Sequence, residues 1–253
     1  MLIAADNLHG LNPIIAKAMD NLDPAPIEAL ARQCENNGAD YIDINPGYLS
    51  RTKEDRMTFL VETVQKACSL PLILDSPNPT LLGRGLNACK ETPIINALTL
   101  ETKKIQEILP LAVQSGAQLT ILLLDEQSFS PPSLEEKIAL AVQLKDAAVQ
   151  AGVPLEKLIF DPVVPSLSWT DSFARIRETI KTVRFLATGA VFQEPVQTMA
   201  GLSNLRSGFK RFFPLQVELT CLTLLGGAGL DILLCDVLND RLNDIIKEVK
   251  QYC

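Results

Sequence analysis

Short hydrophobic runs alternate with longer amphipathic segments throughout this chain of 253 residues. Runs such as "PLILD" at 71–75 and "LTILLL" at 119–124 are apolar at nearly every position. Strands of a parallel sheet have this pattern because helices cover both faces of the sheet, whereas a half-exposed strand alternates apolar and polar residues. The pattern predicts eight strands, at residues 2–5, 41–45, 71–75, 93–96, 118–124, 157–161, 198–204 and 231–235.

The segments between these strands have helical periodicity, for example "EDRMTFLVETVQKAC" at 54–68 and "PSLEEKIALAVQLKDAAVQAG" at 132–152. Gly38, Gly116 and Gly152 stand where the predicted helices end, as suits a left-handed C-cap. Eight βα units in about 250 residues predict an α/β fold, a (β/α)8 TIM barrel that forms a single domain over residues 1–253. An open doubly wound sheet is the alternative, but its GxGxxG phosphate loop is absent after the first predicted strand.

The composition, net charge and cysteine spacing of the chain exclude some classes of protein. Hydrophobic residues make up 47% of the chain and charged residues 21%, which is typical of a compact soluble protein. A net charge of -7 argues against a nucleic-acid binder, since such proteins carry a basic surface. The six cysteines are scattered, without a CxxC pair, as expected for reduced thiols in the cytoplasm.

The stretch at 221–238, "CLTLLGGAGLDILLCDVL", is the only one that suggests a membrane span. Clustered glycines and Asp231 interrupt it, so we interpret it as a helix end, a glycine turn and a buried strand. The N-terminus has neither the basic region nor the long apolar run of a signal peptide. We therefore expect a cytoplasmic protein that does not contact a membrane.

Acidic and amide residues follow almost every predicted strand. The carboxyl ends of barrel strands meet at one rim, where enzymes of this architecture place their catalytic residues. A single Asp or Asn in such a place often caps the next helix, and Asp6 and Asp125 are most easily explained in this way. The whole ring needs another explanation, because crowded carboxylates raise one another's pKa unless something fills the space between them. In chain order, the ring contains Asp6, Asp43 with Asn45, Asp75, Asn96, Asp125, Asp161, Asn204 and Asp236.

Three kinds of ligand fit such a ring: a divalent metal ion, a cationic molecule, or a heterocycle with several N–H donors. Mg²⁺ accepts carboxylate ligands and stays an alternative, whereas a single histidine, His9, disfavours transition metals. Asn96 and Asn204 can both donate and accept hydrogen bonds, while an ionised Asp only accepts. This mixture favours a ring with alternating donors and acceptors, such as a reduced pterin, and we expect no bound metal.

Several of these residues stand in longer motifs, and through these motifs the chain resembles the methyltetrahydrofolate:corrinoid protein methyltransferases of the pterin-binding barrel superfamily. The similarity extends over essentially the whole chain, and its motifs occur in the family's order at barrel spacing. They are "DPAPIEALARQCENNGADYIDIN" (23–45), "LILDSPN" (72–78), "PIINALTLE" (93–101), "LPLAVQSGA" (109–117), "IFDPVVP" (159–165) and "AGLSN" (200–204).

The resemblance implies a pterin held in the mouth of the barrel. Asp75, Asn96 and Asp161 would form hydrogen bonds with the pyrimidine edge of the ring, and Asp43 would support them. Asn204 would lie beside N5, the atom that carries the methyl group, as the catalytic residue. The substrates would be tetrahydrofolate and 5-methyltetrahydrofolate.

The resemblance also implies the reaction and its partner. A methyl group would pass between N5 of tetrahydrofolate and the cobalt of a corrinoid protein, in either direction and without a covalent enzyme intermediate. Cobalamin would be carried by a separate protein, because this chain contains no DxHxxG cobalamin signature. Family resemblance further implies a homodimer.

The chain departs from the family pattern at two places. The first strand of the family commonly ends in Gly-Glu-Arg-Ile-Asn, where this chain has "AADNLHG" with Asp6 and Asn7, and Ser207 stands where a Gln often helps to hold the pterin. These changes concern the folate tail and the partner surface. Basic residues of the rim could meet the folate tail, although solvated surface charge explains them equally well; they are Arg51, Arg84, Arg206, Lys210 and Arg211.

Two other functions compete with this interpretation. Dihydropteroate synthase shares the barrel and the ring contacts, but it expels pyrophosphate, and that family builds the anion site from an Arg-x-His pair and a Lys of the seventh strand. Here the motif "AGLSN" has no Lys and His9 is the only histidine. A pterin-binding protein without catalysis is the second alternative, because ligand contacts and transition-state contacts look alike in a sequence.

Overall fold

A computed structural model describes residues 1–209 and 214–252. Its eight strands close into a barrel in chain order, and every neighbouring pair is parallel. The predicted (β/α)8 barrel is therefore confirmed. The strands are β1 (Leu2–His9), β2 (Tyr41–Asn45), β3 (Leu72–Asp75), β4 (Ile94–Leu98), β5 (Gln118–Leu122), β6 (Leu158–Asp161), β7 (Gln197–Gly201) and β8 (Ile232–Cys235).

Helices follow the strands and cover the outside of the barrel. They are α1 (Pro13–Asn21), α2 (Pro24–Asn36), α3 (Asp55–Ala67), α4 (Pro79–Ala88), α5 (Thr102–Ser115), α6 (Leu134–Ala151), α7 (Ser172–Ala187), α8 (Leu215–Gly227) and α9 (Asp240–Tyr252). A capping box starts α6: the Ser133 hydroxyl accepts from the Glu136 N–H at 3.2 Å, and the Glu136 carboxylate accepts from the Ser133 N–H at 3.3 Å. Such caps stabilise a helix by about 1 kcal/mol.

The apolar residues form two cores because successive side chains of a strand point to opposite faces. The larger core lies between the strands and the helices and includes Leu74, Leu119 and Phe160. The smaller one fills the inside of the barrel. Each strand therefore buries both faces, which explains the continuous apolar runs of the sequence. The inner core consists of Ala4, Ile73, Ile94, Ile159, Met199 and Ile232.

Two residues interpreted as helix caps have other roles. The strand β1 extends to His9, beyond the predicted end at residue 5, so Asp6 lies inside a strand. The carboxylate of Asp125 accepts from the N–H groups of Gln127 and Phe129, both at 2.9 Å, within the loop before α6. The cap interpretation was therefore wrong for both residues.

The predicted seventh strand is shorter than expected. It ends at Gly201, and Asn204 lies in a 3-10 helix, Leu202–Arg206, instead of at the strand end. Leu202 and Leu205 are both fully buried. A 3-10 helix has three residues per turn, so it turns both leucines to the same side, which an extended strand would not do.

The apolar stretch at 221–238 is the helix end, glycine turn and strand that its glycines indicate: α8 ends at Gly227, Gly229 has a φ of 93°, and β8 follows. Among residues 1–209 and 214–252, no helix has the length and apolar character needed to cross a membrane.

We expect Gly10→Ala to destabilise the protein by about 1–3 kcal/mol. An added Cβ would lie 2.4 Å from the carbonyl oxygen of Pro46, and this backbone atom cannot move without separating the loops that follow β1 and β2. Gly227→Ala is the matched control, since no described atom outside its own stretch of helix lies within 4 Å of its added Cβ. Urea unfolding measures both variants. A Gly10→Ala protein as stable as the control would contradict the close packing of the two loops.

Candidate active site

A polar layer lies directly above the inner apolar core at the carboxyl ends of the strands. Because strand side chains alternate, the residues two positions after Ala4, Ile73, Ile94 and Ile159 also face the inside of the barrel. In β2, Tyr41 packs against the inner core, and Asp43, two positions later, faces the inside as well. The layer consists of Asp6, Asp43, Asp75, Asn96 and Asp161. Four of the five residues predicted to form the site thus share one layer.

Asp75 and Asn96 lie side by side, as partners in the ladder between β3 and β4. The side-chain amide of Asn45 donates to the Asp75 carboxylate at 2.7 Å, and its carbonyl oxygen accepts from the Gly47 N–H at 2.9 Å. The second bond fixes the orientation of the amide, so Asn45 presents its N–H group to Asp75. Although part of Asp75 reaches solvent, burial of the carboxyl group raises its pKa to about 6, against the opposing effects of Asn45 and Lys104.

Asp43 is the most deeply buried acid of the layer, with 2% of its surface exposed. Burial raises its pKa well above the usual range, and Asp75 and Asp6 raise it further. Its Oδ1 atom has no hydrogen-bond partner among the described residues. An unsatisfied buried polar atom costs about 1–3 kcal/mol, so a donor brought by a ligand would be stabilised here.

Asp161 ends β6 and is 6% exposed. Its carboxylate accepts from the Val163 N–H at 2.7 Å. Burial raises the pKa of Asp161 to about 7; Asp75 adds to this effect, while Val163 and Lys137 oppose it. Near neutral pH, this carboxyl can therefore act either as an acceptor or as a donor.

Asp6 connects the polar layer to the 3-10 helix that carries Asn204. Burial raises the pKa of Asp6 to about 6, and a hydrogen bond with the Ser203 side chain lowers it. Ser203 is the residue before Asn204, so β1 contacts this helix directly. Asp236 and Glu218 also raise the pKa of Asp6, whereas Arg206 lowers it.

Asn204 packs against Gly201 at the end of β7. A Cβ added to Gly201 would lie 3.3 Å from Nδ2 of Asn204, a tight contact that would displace the amide by a few tenths of an ångström. The next turn of chain is held by an ion pair between Arg206 and Glu218, a glutamate that is 2% exposed, and by a hydrogen bond from the Ser166 hydroxyl to the Ser207 carbonyl. These contacts fix the backbone on which Asn204 stands.

Two cavities open beside the polar layer. One, of about 650 Å³, lies over the loops that follow β2, β3 and β4 and is lined by Tyr48, Pro77 and Lys104 among others. The other, of about 780 Å³, lies between the loops after β5 and β6, where Phe129 and Trp169 are exposed. Both volumes suit a small organic ligand. Neither cavity includes the carboxylates, which lie deeper in the barrel.

The basic residues of the rim differ in their surroundings. Arg84 pairs with Glu54 at 3.1 Å, and Arg206 pairs with Glu218, so both have structural partners. Arg51 lines the cavity of about 650 Å³. Lys210 and Arg211 lie outside the described residues.

Among the described residues, no group of three or more His, Cys, Asp or Glu side chains is arranged to hold a metal ion. His9 lies near Asp236, and burial lowers the pKa of its imidazole. The groups of this layer suit hydrogen bonding: they are adjacent acceptors, amides that can donate or accept, and carboxyl groups whose pKa values are raised toward neutrality.

Comparison with known proteins agrees with this chemistry. The family described as "Pterin binding enzyme" matches residues 14–232. A methylcorrinoid:tetrahydrofolate methyltransferase of Eubacterium limosum is 26% identical over 211 residues, which are 82% of this chain and 75% of that protein. The methionine synthase of Mycobacterium tuberculosis is 24% identical over 185 residues, or 71% of this chain and 15% of that protein.

Solved structures with a similar fold include dihydropteroate synthases. The enzyme of Vibrio fischeri has a TM-score of 0.68 at 15% identity, covering 99% of this chain and 92% of that one. The enzyme of Burkholderia cenocepacia has a TM-score of 0.68 at 18% identity, covering 99% and 91%. At this identity the likeness concerns the fold alone. The family match covers most of the barrel, and the chain belongs to the pterin-binding enzymes.

Proposed function

We propose that this protein is a methyltransferase that moves a methyl group between N5 of tetrahydrofolate and the cobalt of a corrinoid protein. One observation carries the proposal: the Asn204 amide packs against Gly201 at the edge of a buried layer of hydrogen-bond acceptors. The methylcorrinoid:tetrahydrofolate methyltransferase of Eubacterium limosum supports it as a sequence relative. The direction of transfer in the cell depends on the partner and on the redox state of its cobalt.

In this proposal, the polar layer binds the pyrimidine edge of the pterin. Asp75, Asn96 and Asp161 form the hydrogen bonds, with the ionised carboxylates accepting from ring N–H groups and the amide able to donate or accept. Asn45 holds the Asp75 carboxylate in position by its bond at 2.7 Å. The unpartnered Oδ1 of Asp43 supports the fit, because a donor-rich ring satisfies an acceptor that the protein leaves open.

Asn204 acts at N5. A tertiary amine is a poor leaving group, so loss of its methyl group requires N5 to gain positive charge through a proton or a strengthening hydrogen bond. A neutral amide can accept from a protonated N5 or donate to an unprotonated one. The corrinoid, bound to its own protein, supplies the cobalt that accepts or donates the methyl group. No side chain of this chain becomes covalently attached.

Dihydropteroate synthase activity is the competing proposal, since the solved structures with a similar fold include that enzyme. That family uses a Lys of the seventh strand and an Arg-x-His pair to bind pyrophosphate. In this chain β7 ends in Met199, Ala200 and Gly201, and the single histidine is His9, in β1. These residues give no cationic site of that kind, which favours methyl transfer.

Turnover tests the proposed function directly. The protein mixed with 5-methyltetrahydrofolate and excess Co(I) cobalamin should produce methylcobalamin and tetrahydrofolate, visible in the cobalamin spectrum. A protein that binds the pterin but transfers no methyl group under these conditions is a binding protein and not this enzyme. Formation of dihydropteroate from the pterin pyrophosphate and p-aminobenzoate would favour the competing reaction.

Asn204→Ala should lower the rate of methyl transfer by about 100-fold or more, because it removes a hydrogen bond that strengthens in the transition state. Affinity for 5-methyltetrahydrofolate should stay within about threefold. Asn87→Ala, which changes an exposed asparagine of α4, is the control and should leave both quantities unchanged. Equal losses in rate and affinity would show that Asn204 only binds the substrate.

Asp75→Ala and Asp161→Ala should each weaken tetrahydrofolate binding by about 1–3 kcal/mol, the usual loss for a hydrogen bond to a charged group. Isothermal titration calorimetry measures the affinities. Asp146→Asn, at an exposed position of α6, provides a control in which one negative charge is lost far from the barrel interior. Unchanged affinity in both alanine variants would place the pterin elsewhere.

A further inference from the structure

Lys137, on the inner side of α6, is 1% exposed. Lysine is seldom buried this completely, because removing an ammonium group from water is costly. Its Nζ donates to the Ser130 hydroxyl at 2.7 Å and to the Pro162 carbonyl at 2.6 Å. Both acceptors are neutral, and no acidic side chain among the described residues lies within ion-pair distance of Lys137. The protein thus keeps a buried cation that no direct ion pair stabilises.

The bond to Pro162 connects Lys137 to the polar layer. Pro162 follows Asp161, whose carboxylate accepts from the Val163 N–H at 2.7 Å. Val163 has a φ of 64°, a left-handed conformation that a β-branched residue adopts only when its surroundings impose it. Lys137 and the Asp161 carboxylate therefore bond to the same tight turn from two sides.

Lys137 and Asp161 also influence each other through space. Burial lowers the pKa of Lys137 to about 8, and Asp161 acts against this effect. Burial raises the pKa of Asp161 to about 7, and Lys137 acts against that. The other charged groups that face this pair are Asp75, which raises the pKa of Asp161, and Arg175, which lowers that of Lys137. Arg175 itself is bonded to Asp171 and to the Ser130 carbonyl.

We propose that Lys137 is a positioning residue of the pterin site: its bond to Pro162 places the ammonium group beside the turn after β6, where its positive charge keeps the Asp161 carboxylate ionised as an acceptor for pterin N–H groups. This inference rests on the proposed function. It gives a ligand-related role to a helix residue whose own hydrogen bonds go to Ser130 and Pro162.

The sign of the pH effect follows from the two pKa values. Because the pKa of Asp161 is raised in the folded protein, its acceptor form is lost as the pH falls through about 7. Removing the charge of Lys137 raises the pKa of Asp161 further. As the pH falls, the variant should therefore lose pterin affinity at a higher pH than the wild type does. Above about pH 8, Lys137 is neutral even in the wild type, and its charge then makes no difference.

Lys137→Met tests this inference. The affinity for 5-methyltetrahydrofolate, measured by calorimetry between pH 6 and 9.5, should fall by about fivefold at pH 7, because a rise of about one unit from a pKa of about 7 leaves roughly a fifth as much ionised Asp161 at that pH. The difference from the wild type should shrink to less than about twofold at pH 9.5. Lys157→Met is the matched control: Lys157 also donates to a loop carbonyl, that of Gly116, but at the opposite end of the barrel, and its pH profile should match the wild type.

A loss of affinity that is equal at every pH would show that Lys137 acts only through packing, and unchanged affinity throughout would show that it has no role. Either result overturns the inference while leaving the proposed function intact. A wild-type protein that binds no pterin at any pH would instead overturn the proposed function itself.

A second measurement does not depend on the folding of the Lys137 variant. Nitrogen-15 NMR of the lysine Nζ groups, in the wild type and in Asp161→Asn, follows the titration of Lys137. We expect a pKa of about 8 in the wild type and a lower value in Asp161→Asn, since the carboxylate that favours the ammonium form is gone. An unchanged Lys137 pKa would show that the two groups do not interact, and would contradict the inference.

Discussion

Four carboxyl groups from β1, β2, β3 and β6 share the carboxyl end of one closed barrel, mostly out of reach of water. Burial raises the pKa of each of these groups, and Asp75 further raises the pKa values of Asp43 and Asp161. Neighbouring groups offset part of this cost at Asp6, Asp75 and Asp161, where hydrogen bonds and nearby cations lower the pKa values. One oxygen of Asp43 has no partner among the described residues. This cost supports our proposal that a donor-rich ligand binds at the layer.

The surrounding structure positions this layer and the residues beside it. The inner apolar core supports the layer from below and keeps the strands in register, so that Asp75 and Asn96 are neighbours. The 3-10 helix after β7 places Asn204 against Gly201. The helix is held by two contacts of its own residues, Ser203 with Asp6 and Arg206 with Glu218. Rigid strands hold the acceptors, while the amide proposed to act in the reaction stands on a short helix at their edge.

The positions of many residues of the candidate site could be predicted from the sequence, because the signal for each residue lies within its own strand. An apolar run that ends in an acid identifies Asp75 and Asp161, and the alternation of strand residues places both inside the barrel, two positions after a core residue. The strand ends were less predictable. A continuous apolar run contains no signal for where a strand changes into a 3-10 helix, so Asn204 was expected in β7 and lies beyond it. Asp6 was interpreted as a cap because β1 was predicted to end at residue 5. The true length of β1 is set by its pairing with β2 and β8, which the sequence does not show.

The residues that support the polar layer act through tertiary contacts, which the sequence does not show directly. Asn45 stands in the predicted ring, but its bond to Asp75 joins residues 30 positions apart. Lys137 looks like an ordinary charge on an amphipathic helix, and only the packed structure shows that it is buried and bonded to Pro162. A lysine on the apolar side of α6 was the available signal, since its neighbours in helical spacing, Leu134, Leu140 and Ala141, include buried core residues.

We propose that the buried acceptor layer receives the donors of a reduced pterin. A crystal structure of the protein with 5-methyltetrahydrofolate tests this proposal. We expect the pyrimidine edge of the pterin to lie within hydrogen-bond distance, about 2.7–3.2 Å, of Asp75, Asn96 and Asp161, with N5 on the side of Asn204. A pterin bound in either rim cavity, with these side chains still unoccupied by any ligand donor, would contradict it.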